Sequence, residues 1–168
     1  MTPYASGMVS WNDFATAAPE LASEGLERFE RAGLVLLGSL RVDGYPRISP
    51  IEPILTDGTL YLGMMYRSTK ALDLYRDPRC VVHSIVSNRD GTEGEFKLYG
   101  RAVAIADPHA RDRYGTALFD KIGWRPDSDF DLFAVDIEQV GFLVFGDGKQ
   151  VIKVWRPGTS IRERVKAS

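Results

Sequence analysis

The sequence contains one cysteine, Cys80, and two histidines among 168 residues. A single cysteine excludes a disulfide within the chain and any zinc or iron–sulfur site that needs several cysteines of one chain. Because Cys80 lies in an apolar run, we expect a buried structural thiol and not a nucleophile. With two histidines and no carboxylates clustered at ligand spacing, we expect no metal site.

The sequence also has little net charge and no long apolar run. Its formal net charge is -2 with 26% charged residues, so it offers no basic field for a nucleic acid or an anionic membrane. No stretch reaches the length of a membrane-spanning helix, and no signal peptide is recognisable. We therefore expect a cytoplasmic protein with no nucleic-acid or membrane partner.

Turn signals between apolar stretches indicate the fold class. Asp43-Gly44, Asp57-Gly58 and Asp147-Gly148 each separate two strand-like segments, and one predicted helix lies between strands. This pattern favours a closed antiparallel barrel over a doubly wound parallel sheet. The length suits one domain with one core, 1–168. We expect N-terminal helices over 1–33, the barrel over 34–156 and a C-terminal tail over 157–168.

The segment between the second and fourth predicted strands contains the main candidate site. Three prolines between residues 46 and 53 predict a strand that is bent or lies at an edge. The polar step Arg67–Lys70 opens a short helix that must stop before Pro78. A helix start with free N–H groups, hydroxyls and a cation suits a phosphate, so we interpret it as an anion pocket. The alternative is that Ser68 only caps the helix while Lys70 faces solvent.

The order of these features resembles that of the pyridoxamine 5'-phosphate oxidase-like family. The shared motifs are Gly44-Tyr45-Pro46-Arg47, Ser68-Thr69-Lys70-Ala71, Asp77-Pro78-Arg79 and Gly100-Arg101-Ala102. The resemblance covers Leu34 to Ile105 well and residues 155–158 more loosely. It implies a mainly β protein with flanking helices (α+β), an antiparallel FMN-binding split β-barrel that pairs as a homodimer with the cofactor at the interface. Related branches of the family use the deazaflavin F420.

The resemblance also implies the residues of the cofactor site. Arg47 and Lys70 would neutralise the flavin phosphate, Ser68 and Thr69 would donate hydrogen bonds to it, and Arg67 would either contact it or flank the turn. The flavin ring would be lined by Ile48, Ser49 and Pro50, with Gly63 and Met64 facing it from the neighbouring wall. Tyr66, Trp124 and Trp155 are candidates to cover the ring from the partner subunit, with packing at the dimer interface as the alternative.

Three departures from the oxidases of this family limit the expected activity. Glu95 stands where those oxidases place a glutamine that helps hold the ring, and Thr69 stands where they have arginine. No histidine follows His109, whereas the oxidases grip pyridoxal phosphate with a C-terminal arginine and histidine. Oxidation of pyridoxamine phosphate is therefore not expected.

We expect an FMN-binding oxidoreductase that acts on an unidentified small organic substrate. No catalytic residue can be named, because the cofactor performs the chemistry and the protein supplies position and polarity. One alternative is an F420-dependent reductase, whose acidic cofactor tail would lie along Arg67, Lys97, Arg101 and Arg156. Another is a non-catalytic flavin carrier or a cofactor-free dimeric barrel. His83 is expected in a core or an interface and not at a catalytic or metal position.

Overall fold

The computed structural model describes residues 7–167, which form four helices and nine strands. The helices are α1 (Trp11–Ala17), α2 (Pro19–Ala32), α3 (Thr69–Arg76) and α4 (Pro108–Ile122). The strands are β1 (Val35–Leu40), β2 (Pro46–Ile51), β3 (Pro53–Thr56), β4 (Thr59–Met65), β5 (Arg79–Ser84), β6 (Glu95–Ala104), β7 (Phe130–Gly146), β8 (Lys149–Trp155) and β9 (Arg162–Ala167). Residues 1–6 of the expected N-terminal helical segment lie outside the described range.

Local capping signals determine where the helices begin and end. The N–H of Asp13 donates to Ser10 Oγ at 3.1 Å and the N–H of Ser10 donates to Asp13 Oδ2 at 2.8 Å, which is a capping box. Pro19 begins α2 and Gly33, at φ 69°, ends it. The prediction that α3 must stop before Pro78 is confirmed.

The strands form one antiparallel sheet in the order β2-β1-β5-β6-β7-β4-β3, with β8 on β7 and β9 on β8. Strand β7 has 17 residues and pairs with two different strands along one of its edges. Its residues 130–134 pair with β4, and its residues 140–146 pair with β8. An antiparallel barrel architecture is therefore confirmed, and a doubly wound parallel sheet is excluded.

The sheet is open between its two ends, so the barrel is split. Strands β2 and β3 are consecutive in the chain and separated only by Glu52, yet within residues 7–167 no ladder joins them. The expectation of a closed barrel is wrong, and the split barrel that the family resemblance implied is confirmed. The predicted edge position and bend follow from the prolines, which cannot donate to a ladder. The bend places Glu52 where the barrel opens.

The C-terminal segment departs from our expectation of a tail over 157–168. Residues Arg162–Ala167 form β9, and every residue of β9 pairs with a residue of β8. Every residue of β9 is exposed, so the strand has no apolar face that its sequence could reveal. None of the described helices is long and apolar enough to cross a membrane.

Two apolar clusters lie on opposite faces of β4. Leu60 and Leu62 belong to the larger cluster inside the barrel, which α1 and α2 close with the rings of Trp11, Phe14 and Phe29. Tyr61, between those leucines, belongs to a second cluster beneath α4. The larger cluster contains Cys80, and burial raises the pKa of its thiol to about 12, which confirms a buried structural cysteine. The packing of α4 on β3 and β4 creates the wall of the candidate site.

Candidate functional site

A cavity of about 400 Å³ lies between the ends of β2 and β4 on one side and α4 on the other. Ligand pockets in proteins commonly measure about 300–1,000 Å³, so the cavity is large enough for a small organic molecule. Its strand wall is formed by Pro50, Ile51, Glu52, Gly63, Met64, Met65, Tyr66 and Lys70. Its other wall is formed by Tyr114, Leu118, Ile122, Trp124, Pro126, Ser128, Asp129 and Phe130.

The floor of the cavity depends on a glycine that faces a tyrosine. A Cβ on Gly63 would lie 1.9 Å from Tyr114 Oη and 2.3 Å from its Cζ, so only glycine allows this close approach. The Tyr114 ring stacks on Phe130 with centroids 5.7 Å apart. Burial raises the pKa of Tyr114 to about 12, and the charge of Glu52 acts in the same direction. The hydroxyl therefore stays protonated at neutral pH at the edge of the cavity.

The first turn of α3 brings a cation and an unpaired hydroxyl to the same place. Lys70 lines the cavity, and no hydrogen-bond or ion-pair partner for its ammonium is found among residues 7–167. Ser68 occupies the N-cap position without a side-chain capping bond, and its buried Oγ lacks a partner in the described part of the chain. A buried polar atom without a partner is costly, which indicates a position suited to a ligand. The helix start also leaves backbone N–H groups free.

A buried carboxylate holds the turn that precedes α3. Asp131, on β7, accepts the N–H of Arg67 at 2.6 Å and the hydroxyl of Tyr75 at 2.8 Å. Arg67 has a φ of 51°, a conformation that a non-glycine residue adopts only when its surroundings enforce it. The three aspartates between residues 127 and 131 predict a solvated connector, and this is wrong for Asp131, which is buried in β7. Its position between Phe130 and Leu132 at a strand start was the available signal. The polar step before α3 is therefore a rigid turn.

Arg47 is tied to α3 by an ion pair. Its Nε lies 2.6 Å from Oδ2 of Asp73, and this oxygen also accepts from Ser39 Oγ at 3.1 Å. The other carboxylate oxygen, Oδ1, lies 3.4 Å from Arg76 Nη1. Burial alone would raise the pKa of Asp73, but the hydrogen bonds from Arg47 and Ser39 and the charge of Arg47 outweigh it and lower that pKa. In the described range the two Nη groups of Arg47 make no other hydrogen bond. The ion pair with Asp73 therefore neutralises part of the positive charge of Arg47.

The cavity brings together four of the predicted cofactor residues: Pro50, Gly63, Met64 and Lys70. The remaining ones lie around it without lining it. Ile48 shares a face of β2 with Pro50 and is 70% exposed, whereas Ser49 lies on the face of Arg47. Arg67 and Thr69 are exposed at the turn and at the start of α3. Ser68 is half-buried between them.

The predicted ring-covering aromatics separate into two groups. Tyr66 and Trp124 line the cavity and are mostly exposed at its mouth. Trp155 is 2% exposed in the barrel core, with its ring 5.0 Å from that of Phe14, so it cannot reach the cavity. Trp155 is therefore a core residue, and neither the ring-covering role nor packing at a dimer interface holds for it.

The basic residues proposed for an F420 tail do not line the cavity. Their partners are Glu95 for Lys97 (2.6 Å), Glu138 for Arg101 (3.8 Å), Gln139 for Arg156 (2.9 Å) and the carboxylate of Asp131 for the N–H of Arg67 (2.6 Å). His83 has its Nδ1 2.7 Å from the carbonyl oxygen of Ser84 and its Nε2 3.4 Å from Glu95. In the part of the chain that the structure describes, no three His, Cys, Asp or Glu side chains are grouped to hold a metal.

Comparison with known families identifies the chain. The family model described as pyridoxamine 5'-phosphate oxidase matches residues 21–144, about three quarters of the sequence. The chain belongs to the pyridoxamine 5'-phosphate oxidase family. This match spans β1 to most of β7 and therefore includes both walls of the cavity. No curated protein sequence matches the chain.

Solved structures share the fold of this pyridoxamine 5'-phosphate oxidase family member. A heme binding protein from Mycobacterium smegmatis superposes with a TM-score of 0.59 at 18% identity, covering 88% of this chain and 57% of that one. ChuZ from Campylobacter jejuni superposes with a TM-score of 0.68 at 14% identity, covering 83% of this chain and 61% of ChuZ. PhzG from Burkholderia lata 383, in complex with tetrahydrophenazine-1-carboxylic acid, superposes with a TM-score of 0.58 at 12% identity. The superposition covers 100% of this chain and 98% of PhzG. At these identities the similarity shows the fold alone.

Proposed function

We propose that this protein is a flavin-dependent oxidoreductase that binds FMN in the cavity between β4 and α4. The observation that carries the proposal is the pairing of an uncompensated ammonium, Lys70, with the unpartnered Ser68 hydroxyl at the start of α3. Both groups are of the kind that a phosphate dianion requires. Membership of the pyridoxamine 5'-phosphate oxidase family supports the choice of a flavin.

The phosphate end of the site would be held by the residues around α3. Lys70 would supply a full charge, and the two Nη groups of Arg47 would supply donors that the ion pair with Asp73 leaves free. Ser68 and Thr69 would add hydroxyl donors at the helix start, and Arg67, whose own N–H donates to Asp131, would add its guanidinium. Because Asp131 fixes the turn before α3, these donors are positioned before a ligand arrives.

The ring end would lie against the strand wall. Pro50, Gly63 and Met64 offer an apolar surface there, with Ile48 and Ser49 next to them on β2. When bound, a flavin supplies electron-pair transfer to or from a small organic molecule. The chain's own contribution is to position the ring, to supply an apolar surrounding and to exclude water from it. This division of roles explains why no acid–base set is required in the sequence.

The mouth of the cavity suggests a homodimer. Met65 is 82% exposed, and Ile48, Tyr66 and Trp124 are each more than half exposed near the same opening. Large apolar side chains grouped on a surface indicate a protein interface. We propose that a second copy of the chain covers this opening and completes the cofactor site. Analytical ultracentrifugation should give twice the chain mass, whereas a monomer at micromolar concentration would contradict the dimer.

The substrate is not expected to carry a phosphate of its own. Lys70 is the one cationic side chain among the cavity-lining residues that the structure describes, and the proposed flavin phosphate would occupy it. A second dianion would then face Glu52 and Asp129 without a counterion. This charge balance supports the inference that pyridoxamine phosphate is not the substrate.

Calorimetric titration of FMN into the purified protein tests the proposal. Lys70→Ala should weaken FMN binding about tenfold, because a charge-assisted hydrogen bond contributes about 1.5–3 kcal/mol and tenfold corresponds to about 1.4 kcal/mol. Lys166→Ala, on the exposed strand β9, is the matched control and should leave the affinity unchanged.

The visible spectrum of the same samples distinguishes the alternatives. A flavin spectrum that persists through dialysis supports FMN, and binding of F420 without binding of FMN would support the deazaflavin reductase. A heme spectrum, or no response to either flavin, would contradict the proposal.

A further inference from the structure

Two polar groups, one on the strand wall of the cavity and one on the α4 wall, have no hydrogen-bond partner among residues 7–167. Glu52 lies where the barrel opens, half-buried, and among residues 7–167 its carboxylate has no hydrogen-bond or ion-pair partner. Tyr114 is 3% exposed, and no hydrogen bond of its hydroxyl is found in the same range. Both residues line the same cavity, and the charge of Glu52 raises the pKa of Tyr114 in addition to the effect of burial.

An unpaired, half-buried carboxylate in an apolar cavity is unfavourable without a ligand. It loses part of its hydration and gains no hydrogen bond in return. The α4 wall of the same cavity contributes Leu118, Ile122 and the ring of Tyr114, none of which carries a positive charge that could pair with Glu52. Both Glu52 and Tyr114 can accept a hydrogen bond from a molecule placed between them.

The charges that line the cavity favour a cation at this end. They are one ammonium, Lys70, and two carboxylates, Glu52 and Asp129. If the flavin phosphate neutralises Lys70, as proposed above, both carboxylates remain to face the substrate. Apolar side chains surround that space, with the indole of Trp124 at its mouth, and an indole face attracts cations and flat rings.

We infer that Glu52 and Tyr114 determine substrate specificity by recognising a small organic cation, an amidinium or a protonated amine on a flat apolar body. The Glu52 carboxylate binds the charged N–H groups and the Tyr114 hydroxyl accepts a further hydrogen bond. The apolar body lies between Leu118, Ile122 and Trp124. This inference names the substrate class of the flavin site and rests on the proposed function.

Benzamidine and benzamide are suitable probes because they share shape and differ in one charge. Each is titrated calorimetrically into the protein, before and after saturation with FMN, and benzoate serves as the anionic counterpart. Benzamidine should bind about tenfold more tightly than benzamide, as expected for a charge-assisted contact, and benzoate should bind most weakly. Glu52→Gln should remove the preference for benzamidine, while Glu20→Gln, on the first turn of α2, should retain it. Tyr114→Phe should reduce the affinity for benzamidine about threefold.

Equal binding of benzamidine and benzamide, or a preference that survives Glu52→Gln, would overturn the inference. If Glu52→Gln does not fold, equal binding of the three probes to the unchanged protein still overturns the inference. FMN binding that depends on Lys70, without an amidinium preference, leaves the flavin proposal standing and overturns this one. A preference that depends on Glu52 in a protein that binds no flavin supports cation recognition and contradicts the flavin proposal.

Discussion

The ion pair between Arg47 and Asp73 should be a measurable part of the stability of the barrel. The Asp73 side chain is 5% exposed and that of Arg47 30% exposed, with 2.6 Å between Nε and Oδ2. Removing one partner of a fully buried pair costs about 3–5 kcal/mol. Arg47 is partly exposed, and Ser39 and Arg76 remain near Asp73 after the substitution. We therefore expect Arg47→Ala to lower the free energy of unfolding by about 2 kcal/mol, less than the cost for a fully buried pair.

Urea unfolding followed by tryptophan fluorescence measures this effect. The midpoint should fall while the denaturant slope stays constant, as expected for a change in native-state stability alone. Arg41→Ala is the control, because Arg41 and Asp43 form a pair in which both side chains are nearly half exposed. That pair should contribute less than about 1 kcal/mol. In a double-mutant cycle, Arg47→Ala and Asp73→Asn should couple by about 1 kcal/mol. Additive single effects, or a loss below about 0.5 kcal/mol for Arg47→Ala, would refute the reasoning.

Two further perturbations test the site and the pH dependence. Gly63→Ala should destabilise the protein by about 1–3 kcal/mol and alter the cavity floor, since its Cβ would overlap the Tyr114 hydroxyl. Tyr114→Phe should restore part of the loss, measured by thermal unfolding, and an unchanged melting temperature for Gly63→Ala would count against the packing described. Because the pKa of Asp73 is lowered in the folded state, it contributes stability above its ordinary value of 3.8, which is lost as the pH falls through the folded pKa. Melting temperatures measured at decreasing pH should therefore fall less steeply for Asp73→Asn than for the unchanged protein.

The pairing of consecutive strands across tight turns could be predicted because these turns are local, whereas the ladders of β1 with β5 and of β4 with β7 could not. Asp57 and Gly58, for example, have φ values of 50° and 70°, conformations that favour an aspartate followed by a glycine. Strand β9 could not be predicted, because all its residues are exposed and, among residues 7–167, β8 is the one strand that pairs with it. A strand without a buried face has no alternation of apolar and polar residues in its sequence.

The candidate site could be predicted only in part. The positions of Gly63 and Lys70 could be predicted from the strand and the helix that contain them. Tyr114, in contrast, reaches the cavity only because α4 packs on β3 and β4. Asp73 illustrates the same limit. Helical spacing predicts Ala71, Leu74 and Tyr75 on the inner face of α3, but Tyr75 is 54% exposed, whereas Asp73 is buried and paired with Arg47. A buried charge depends on a partner far along the chain, so periodicity within one helix cannot reveal it.

The central claim is that the start of α3 holds the phosphate of a flavin. Its most direct test compares the affinities of FMN and riboflavin for the unchanged protein, since the two ligands differ only in that phosphate. The account predicts that FMN binds at least about tenfold more tightly, and that added salt reduces this difference. Equal affinities for FMN and riboflavin would contradict it.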